Sequence, residues 1–362
     1  MRILITGSLG YVGAALLLHL RDRFPGADLV GFDSGLFADC LTTPGVAPET
    51  LLNAQHYGDL RDIDSSLLAG TDAVVHLAAV SNDPIGARFA PETDAINRAA
   101  SLRLAALAAA AGVGHFVFAS SCSVYGSADG EARREGDALN PLTAYARSKI
   151  AVEDGLRAMD RADMAATCLR FATACGMSDR LRLDLVLNDF VAAAIAGGRV
   201  EVLSDGSPWR PLIDVRDMAR AIEWAILRPR ESGGEAVTVN VGSAERNHRV
   251  RDLAEAVAQA LPGTTVSINR TAAPDTRSYR VDFALFRELA PEHQPRVELS
   301  GSIGRLVRGL RAIGFADAEF RRGDRMIRLN RLSTLLRDGA LTGELRWRAR
   351  GRRVTAAAAG GG

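Results

Sequence analysis

Of the 44 lysines and arginines in this 362-residue chain only one is a lysine, Lys149, and it stands four residues after Tyr145 in the run YARSK. An arginine-rich coding bias can empty the surface of lysine, because a solvated positive charge is nearly all that surface positions ask for. It leaves lysine where a compact ammonium does something that a planar guanidinium cannot. On a helix, positions i and i+4 share one face, so phenol and ammonium would enter one cleft. A cation roughly 4 Å from a forming phenolate favours it by about 4 kcal/mol at an effective dielectric near 20. That is about three pK units, enough to bring a tyrosine from about 10 toward neutrality. The pair therefore reads as a general base for a substrate hydroxyl. A YxxxK pair standing alone is more often an exposed helix pair; what lies upstream decides between the two.

Upstream, TGSLGYVG sets Gly7, Gly10 and Gly13, with Tyr11 and Val12 between them, directly after an apolar strand. This is the context a dinucleotide needs: a tight turn, backbone room for a pyrophosphate, and helix N-terminal amides aimed at the anion. Asp33 closes the second strand, where its carboxylate can accept hydrogen bonds from ribose hydroxyls and repel a 2′-phosphate, so NAD is expected rather than NADP. Asp59 and Leu60 end the third strand beside the place for adenine. Ala78 and Ala79 end the fourth, small enough for a dinucleotide to lie close to the backbone. SSCSVYG follows the fifth strand at the carboxyl edge of the sheet, where open α/β folds bind ligands.

Strand and helix patterns alternate from the first residue, which predicts an α/β fold: a Rossmann-type, doubly wound parallel sheet with a smaller C-terminal substrate-binding lobe. Strands are expected at 2–6, 28–33, near 56, at 73–79, 115–121 and 166–171. Helices are expected at 12–23, 92–111 and 143–158. After Phe171 the rhythm loosens into a helix over 184–196, a strand over 200–203, the segment DGSPWRPLIDV, a helix through Leu227 and the strand AVTVNVG. The expected organisation is a cofactor-binding domain over 1–170, to which 212–242 returns, and a second lobe from 171–211 and 243–318. A basic extension follows over 319–362, with 11 arginines against 3 acidic residues after Glu319 and up to and including Arg353. Its run LNRLSTLLRDGALTGELRW has helical apolar spacing, so a docked amphipathic helix is favoured over a nucleic-acid arm. The AAAAGGG tail is expected to be disordered.

A net charge of +1 gives no general electrostatic reason to bind nucleic acid or membrane. The four cysteines Cys40, Cys122, Cys168 and Cys175 show no metal-type spacing, so free thiols and no metal are expected. No targeting segment or membrane span is visible, and a cytoplasmic protein is expected.

With these motifs in order (TGxxGxxG, GDLRD, HLAA, SSxSVYG, YxxxK and DGSPWRPLIDVRDMA), residues 1–315 resemble the extended short-chain dehydrogenases/reductases. The resemblance is to the branch acting on nucleotide sugars, with UDP-galactose 4-epimerase and dTDP-glucose 4,6-dehydratase. It implies Ser121, Tyr145 and Lys149 as the catalytic set, with Lys149 also holding the nicotinamide ribose. It implies Asn97 near the cofactor, and Arg210 and Arg277 on the nucleotide diphosphate, with Arg270 a weaker candidate. Three departures matter. Dehydratases carry an acidic pair after the catalytic hydroxyl residue, and Cys122 and Ser123 stand there. Asp214 replaces the family's usual histidine. Thr173 replaces an asparagine that contacts substrate backbone. The expectation is an NAD-dependent epimerase of a nucleotide-diphosphate sugar, reacting at C4 through a keto sugar, in a homodimer. A ketoreductase, dehydratase or decarboxylase is the alternative, and a non-catalytic NAD-sensing regulator a distant third.

Overall fold

The computed structural model describes residues 1–43, 45–127, 130–272 and 277–348. The first strand shows how the fold is built. In β1 (Arg2–Thr6), Ile3, Leu4 and Ile5 are all fully buried. Alternation sends Ile3 and Ile5 into one apolar layer and Leu4 into the opposite one. A strand buried on both faces must be central in a parallel sheet, and β1 is: it pairs with β2 (Asp28–Asp33) on one side and β4 (Ala73–His76) on the other, both in parallel. Beyond them lie β3 (Ala54–Tyr57), β5 (His115–Ser121), β6 (Ala165–Phe171) and β10 (Ala236–Val241), in the order β3-β2-β1-β4-β5-β6-β10. The strand order reverses between β1 and β4, so a crevice opens there at the carboxyl edge.

One face of the sheet carries α1 (Tyr11–Arg23) and α7 (Val215–Leu227); the other carries α4 (Ser101–Ala110) and α5 (Ala144–Ala158). Between β4 and α4 the chain makes α2 (Asp83–Arg88) and α3 (Ala90–Thr93), then a π-helical stretch over Asp94–Ala100. One uninterrupted helix was the expectation for 92–111; the π turn shifts the backbone ladder by a residue and turns Asn97 inward.

The second lobe has its own apolar centre. It combines β7 (Thr173–Cys175), α6 (Val186–Gly197), β8 (Arg199–Val202) and β9 (Trp209–Asp214) with β11 (Asn247–Arg249), α8 (Val250–Ala260) and β12 (Thr265–Ile268). α9 (Ala284–Leu289) packs back on the first apolar layer, and α10 (Leu299–Ala312) closes the second. β11, β9 and β7 form one small sheet, β12 and β8 another. Among the described residues no helix is long and apolar enough to cross a membrane.

The basic extension docks, as its spacing predicts, through α11 (Arg328–Arg337). The helix stops there, and the rest turns back with a bridge between Leu341 and Trp347. Leu332, Leu335, Leu341 and Leu345 are buried against Leu36, Val80, Ile85 and Phe89. Each buried leucine contributes about 1.5–3 kcal/mol, whereas an exposed ion pair contributes about 0–1 kcal/mol. Leucines hold this segment in place. The AAAAGGG tail lies outside the described residues.

Candidate active site

Above the crevice lies a cavity of about 810 Å³ whose wall includes Gly7, Gly10, Tyr11, Val12, Gly13, Asp33, Asp59, Leu60, Ala78 and Ala79 at one end. Ser121, Tyr145, Lys149, Thr173, Arg210 and Arg277 line it at the other.

The glycine turn is dictated by close approach. Gly7 has φ +77°, and a Cβ there would sit 2.7 Å from the Ala78 nitrogen; one on Gly13 would sit 2.4 Å from the Ser8 carbonyl oxygen. Larger residues would push the turn off β4 and break the start of α1. Tyr11 donates its hydroxyl to the Gly176 carbonyl at 2.6 Å, tying the turn to the second lobe. Asp33 accepts the amides of Leu9 at 3.0 Å and Gly35 at 2.8 Å, one on each carboxylate oxygen. Each oxygen keeps an acceptor position for a ribose hydroxyl. Burial pushes the Asp33 carboxyl up, opposed by those two amides and by Arg180. Burial also works to raise Asp59, but Arg61 holds it below the usual carboxylate range. Helix-terminal amides, glycines without side chains and a carboxylate with acceptors to spare fit a dinucleotide.

Two expected positions lie off the wall. Asn97 is buried behind it: its Oδ1 accepts the Val80 amide at 2.8 Å, and its Nδ2 donates to the Val80 carbonyl at 2.9 Å and the Ser148 hydroxyl at 3.3 Å. It therefore shapes the loop that borders the cavity. Arg270 is not among the wall residues.

At the other end, α5 starts at Thr143, whose hydroxyl oxygen accepts the Ala146 amide at 3.1 Å. Its inner face carries Ala146, Lys149, Val152, Glu153 and Leu156, so the spacing that buries leucine and valine also buries the lysine. Lys149 donates to the Ala119 carbonyl at 2.6 Å, and its ammonium lies 4.6 Å from the Phe118 ring centre and 5.4 Å from that of Tyr145. Burial lowers its pKa to about 8, while Glu153 and Cys168 raise it. Burial drives the Tyr145 phenol up to about 12; Arg182 pulls it down, Asp83 pushes it up, and a hydrogen bond with Ser121 pulls it down.

The simple charge argument from YxxxK is corrected here. Desolvation outweighs the cations around the phenol, and the cation that opposes it most is Arg182. Arg182 is held by Asp184 through two bonds of 2.9 Å and donates to the Ser81 hydroxyl at 2.9 Å. The sequence reading passed over Arg182, Asp184 and Asp83, all on the wall. Asn82, also on the wall, adopts φ 85° and ψ 159°, a strained backbone braced by its own bonds to Ile85 at 3.0 Å and Asp184 at 2.8 Å.

The three departures have distinct geometries. Cys122 is fully buried and donates to the Arg170 carbonyl at 3.1 Å, and burial pushes its thiol far up. Asp214 is buried, accepts the Ser302 hydroxyl at 2.7 Å and the Arg216 amide at 3.1 Å, and so caps α7 without reaching the cavity. Thr173 lines the wall and hydrogen-bonds Tyr279. Arg210 and Arg277 meet: an Arg210 nitrogen donates to the Arg277 carbonyl, and Arg277 lies 3.4 Å from Asp83.

A family model described as "NAD dependent epimerase/dehydratase family" matches residues 3–242. A UDP-glucose 4-epimerase of Mycolicibacterium smegmatis is 29% identical over 322 residues, 85% of this chain and 97% of its own. A protein of Bacillus subtilis described as an uncharacterized UDP-glucose epimerase, YtcB, is 28% identical over 68% of this chain and 78% of its own. Among solved structures, MoeE5 in complex with UDP-glucose and NAD superposes with a TM-score of 0.72 at 26% identity, over 86% of this chain and 99% of MoeE5.

Proposed function

The chain belongs to the NAD dependent epimerase/dehydratase family, and from that premise we propose that it epimerises a nucleotide-diphosphate sugar at C4. The glycine turn, Asp33 and Lys149 would hold NAD, which would supply a reversible hydride acceptor for the sugar carbon. The chain's own residues move the proton and hold the substrate. Tyr145 takes the proton of the C4 hydroxyl, and Ser121 bridges the two oxygens. The developing phenolate is stabilised by Arg182 and by the Lys149 ammonium, and Lys149 would also hold the ribose of the cofactor. Arg210 and Arg277 grip the diphosphate with bidentate forks. The keto sugar then presents its other face before Tyr145 gives the proton back, within the part of the cavity lined by Ser121, Tyr145 and Thr173.

Under the same reading residues 1–170 and 212–242 carry the cofactor, 171–211 and 243–318 carry the sugar nucleotide, and the enzyme is a cytoplasmic homodimer; light scattering tests the dimer. The observation that carries C4 epimerisation over dehydration is the fate of the segment after Ser121. Cys122 faces the core with a thiol too poor an acid to serve, and Ser123 has no carboxylate. The test is turnover of a panel of nucleotide sugars read by NMR in deuterated water. Inversion at C4 with no solvent deuterium at C5 is expected. Deuterium at C5, or loss of the 6-hydroxyl, overturns the reading in favour of a dehydratase.

A further inference from the structure

Residues 320–348 lie beyond the stretch matched by the family model, yet they border the same cavity. Arg328, Leu332 and Leu345 stand in its wall with Phe37, Asp59 and Leu60. The segment crosses the loops that follow β2 and β3 and is fastened to both. Arg325 donates to the Leu41 carbonyl at 2.7 Å, and Arg331 pairs with Asp39. At its far end the Trp347 indole donates to the Ser34 carbonyl at 2.6 Å, next to Asp33. Arg346 pairs with Asp62 and lies 3.6 Å from Asp59, and Arg61 donates to the Glu344 carbonyl at 3.0 Å.

Arg328 is buried and makes no ion pair among the described residues. It stacks 5.0 Å from the Phe37 ring centre and donates to the carbonyls of Arg180 at 3.0 Å and Arg325 at 3.2 Å. A buried guanidinium in a cavity wall, bonded there to carbonyls and paired with no carboxylate among the described residues, brings positive charge to that wall. That charge suits a diphosphate.

We propose that residues 320–348 form a strap that closes the adenosine side of the cavity, with Leu332 and Leu345 as its wall and Arg328 toward the diphosphate, and that it keeps NAD bound between turnovers. The proposal rests on the reading of this cavity as an NAD site. Its latch is the exposed end, Arg346 and Trp347, tied to the two loops that Asp33 and Asp59 begin. Removing the latch leaves the leucines docked, so the fold is kept while the strap's end is freed.

The experiment follows the fluorescence of protein-bound NADH during displacement by excess NAD, in the full chain and in the Arg346→Ala, Trp347→Ala and double variants. The double variant is expected to release the dinucleotide on the order of tenfold faster or more, with association changed less, as for most contacts that act after encounter. Release within twofold of the parent, with an unchanged melting curve, overturns the strap. Hydrogen exchange on the unmutated chain gives an independent measurement: NAD should slow exchange over 328–345, and no change there also overturns it. A parent protein that binds neither NAD nor NADH is a different result, and it overturns the cofactor reading instead.

Discussion

Two regions border one cavity and are held by opposite means. In the wall formed by β5 and α5, charges are buried in a chain of specific partners. Lys149 bonds the Ala119 carbonyl, and Glu153, one turn on, binds Ser120 and is gripped by Arg170 at 2.6 Å, with Arg170 in turn reaching Tyr125. In the strap, leucines supply the adhesion and most arginines reach water; Arg322, paired with Glu319 on the surface, is 86% exposed. The same charge therefore means different things in the two places. Where it is desolvated, its shape and donors are fixed by neighbours and substitution is punished. Where it is solvated, any cation serves.

The strongest way to break this contrast is at the buried end. Tyr145→Phe should lower kcat on the order of a hundredfold or more, the usual scale for removing general acid–base assistance. Lys149→Arg should be nearly as inactive as Lys149→Ala, since the longer, planar guanidinium does not match the space that the ammonium occupies between the Ala119 carbonyl and the Phe118 and Tyr145 rings. Arg322→Lys in the strap should leave turnover unchanged. Steady-state kinetics on the accepted sugar nucleotide measures all four, and parent-like turnover in Lys149→Arg would dissolve the distinction.

Stability against pH sharpens it next. Lys149 has an ordinary pKa of 10.5 and a folded value of about 8. Because the folded value is depressed, the unfolded chain binds more protons between about pH 8 and 10.5, and stability rises with pH in that window. Below it, the buried ammonium destabilises the fold on the order of 3 kcal/mol. Lys149→Met should therefore be more stable than the parent at pH 7, with the gain fading toward pH 10.5. Denaturant titrations across that range check it; a pH-independent difference would mean that Lys149 is not desolvated.

Asp33 comes next in size. Asp33→Ala removes the carboxylate that holds the Leu9 and Gly35 amides and that the proposed function assigns to the ribose of NAD. Losing charge-assisted hydrogen bonds of this kind costs about 1.5–3 kcal/mol, so NAD should bind roughly ten- to a hundredfold more weakly. Calorimetry with NAD and NADP measures both affinities, and an unchanged preference would place the discrimination elsewhere.

What the sequence could show follows the same division. β1, β2 and β5 appear at their expected limits because apolar runs between turns report burial on both faces, and the glycine turn and YxxxK are local patterns. The π turn at 94–100 has no compositional mark, since it changes only which carbonyl each amide meets, so a single helix was expected where three segments stand. Arg182 was invisible for another reason: in a chain with 44 basic residues nothing local separates a buried arginine from a solvated one. The strap's helix was legible from its leucine spacing, but its landing on Leu36, Val80 and Phe89 depends on contacts made across some 250 to 300 residues of chain, which no local pattern encodes.

The smallest effect is expected inside the catalytic wall itself, between neighbours. Ser121 and Cys122 are adjacent, but Ser121 ends β5 and opens a short turn, so its hydroxyl faces the cavity while the Cys122 thiol points into the core with Leu169, Phe171 and Tyr125. Ser121→Ala should lower kcat on the order of a hundredfold, because the bridge between phenol and substrate is lost. Cys122→Ala removes one sulfur and a weak bond to the Arg170 carbonyl, and the residual space is small enough for the core to relax around it. Its activity should stay within roughly tenfold of the parent, about 1.4 kcal/mol of barrier, with some loss of melting temperature. The two variants assayed side by side measure how far burial alone decides a residue's part in the chemistry. If Cys122→Ala fell as far as Ser121→Ala while keeping its fold, the thiol would have to act during turnover. The case for C4 epimerisation that rests on its burial would then fail.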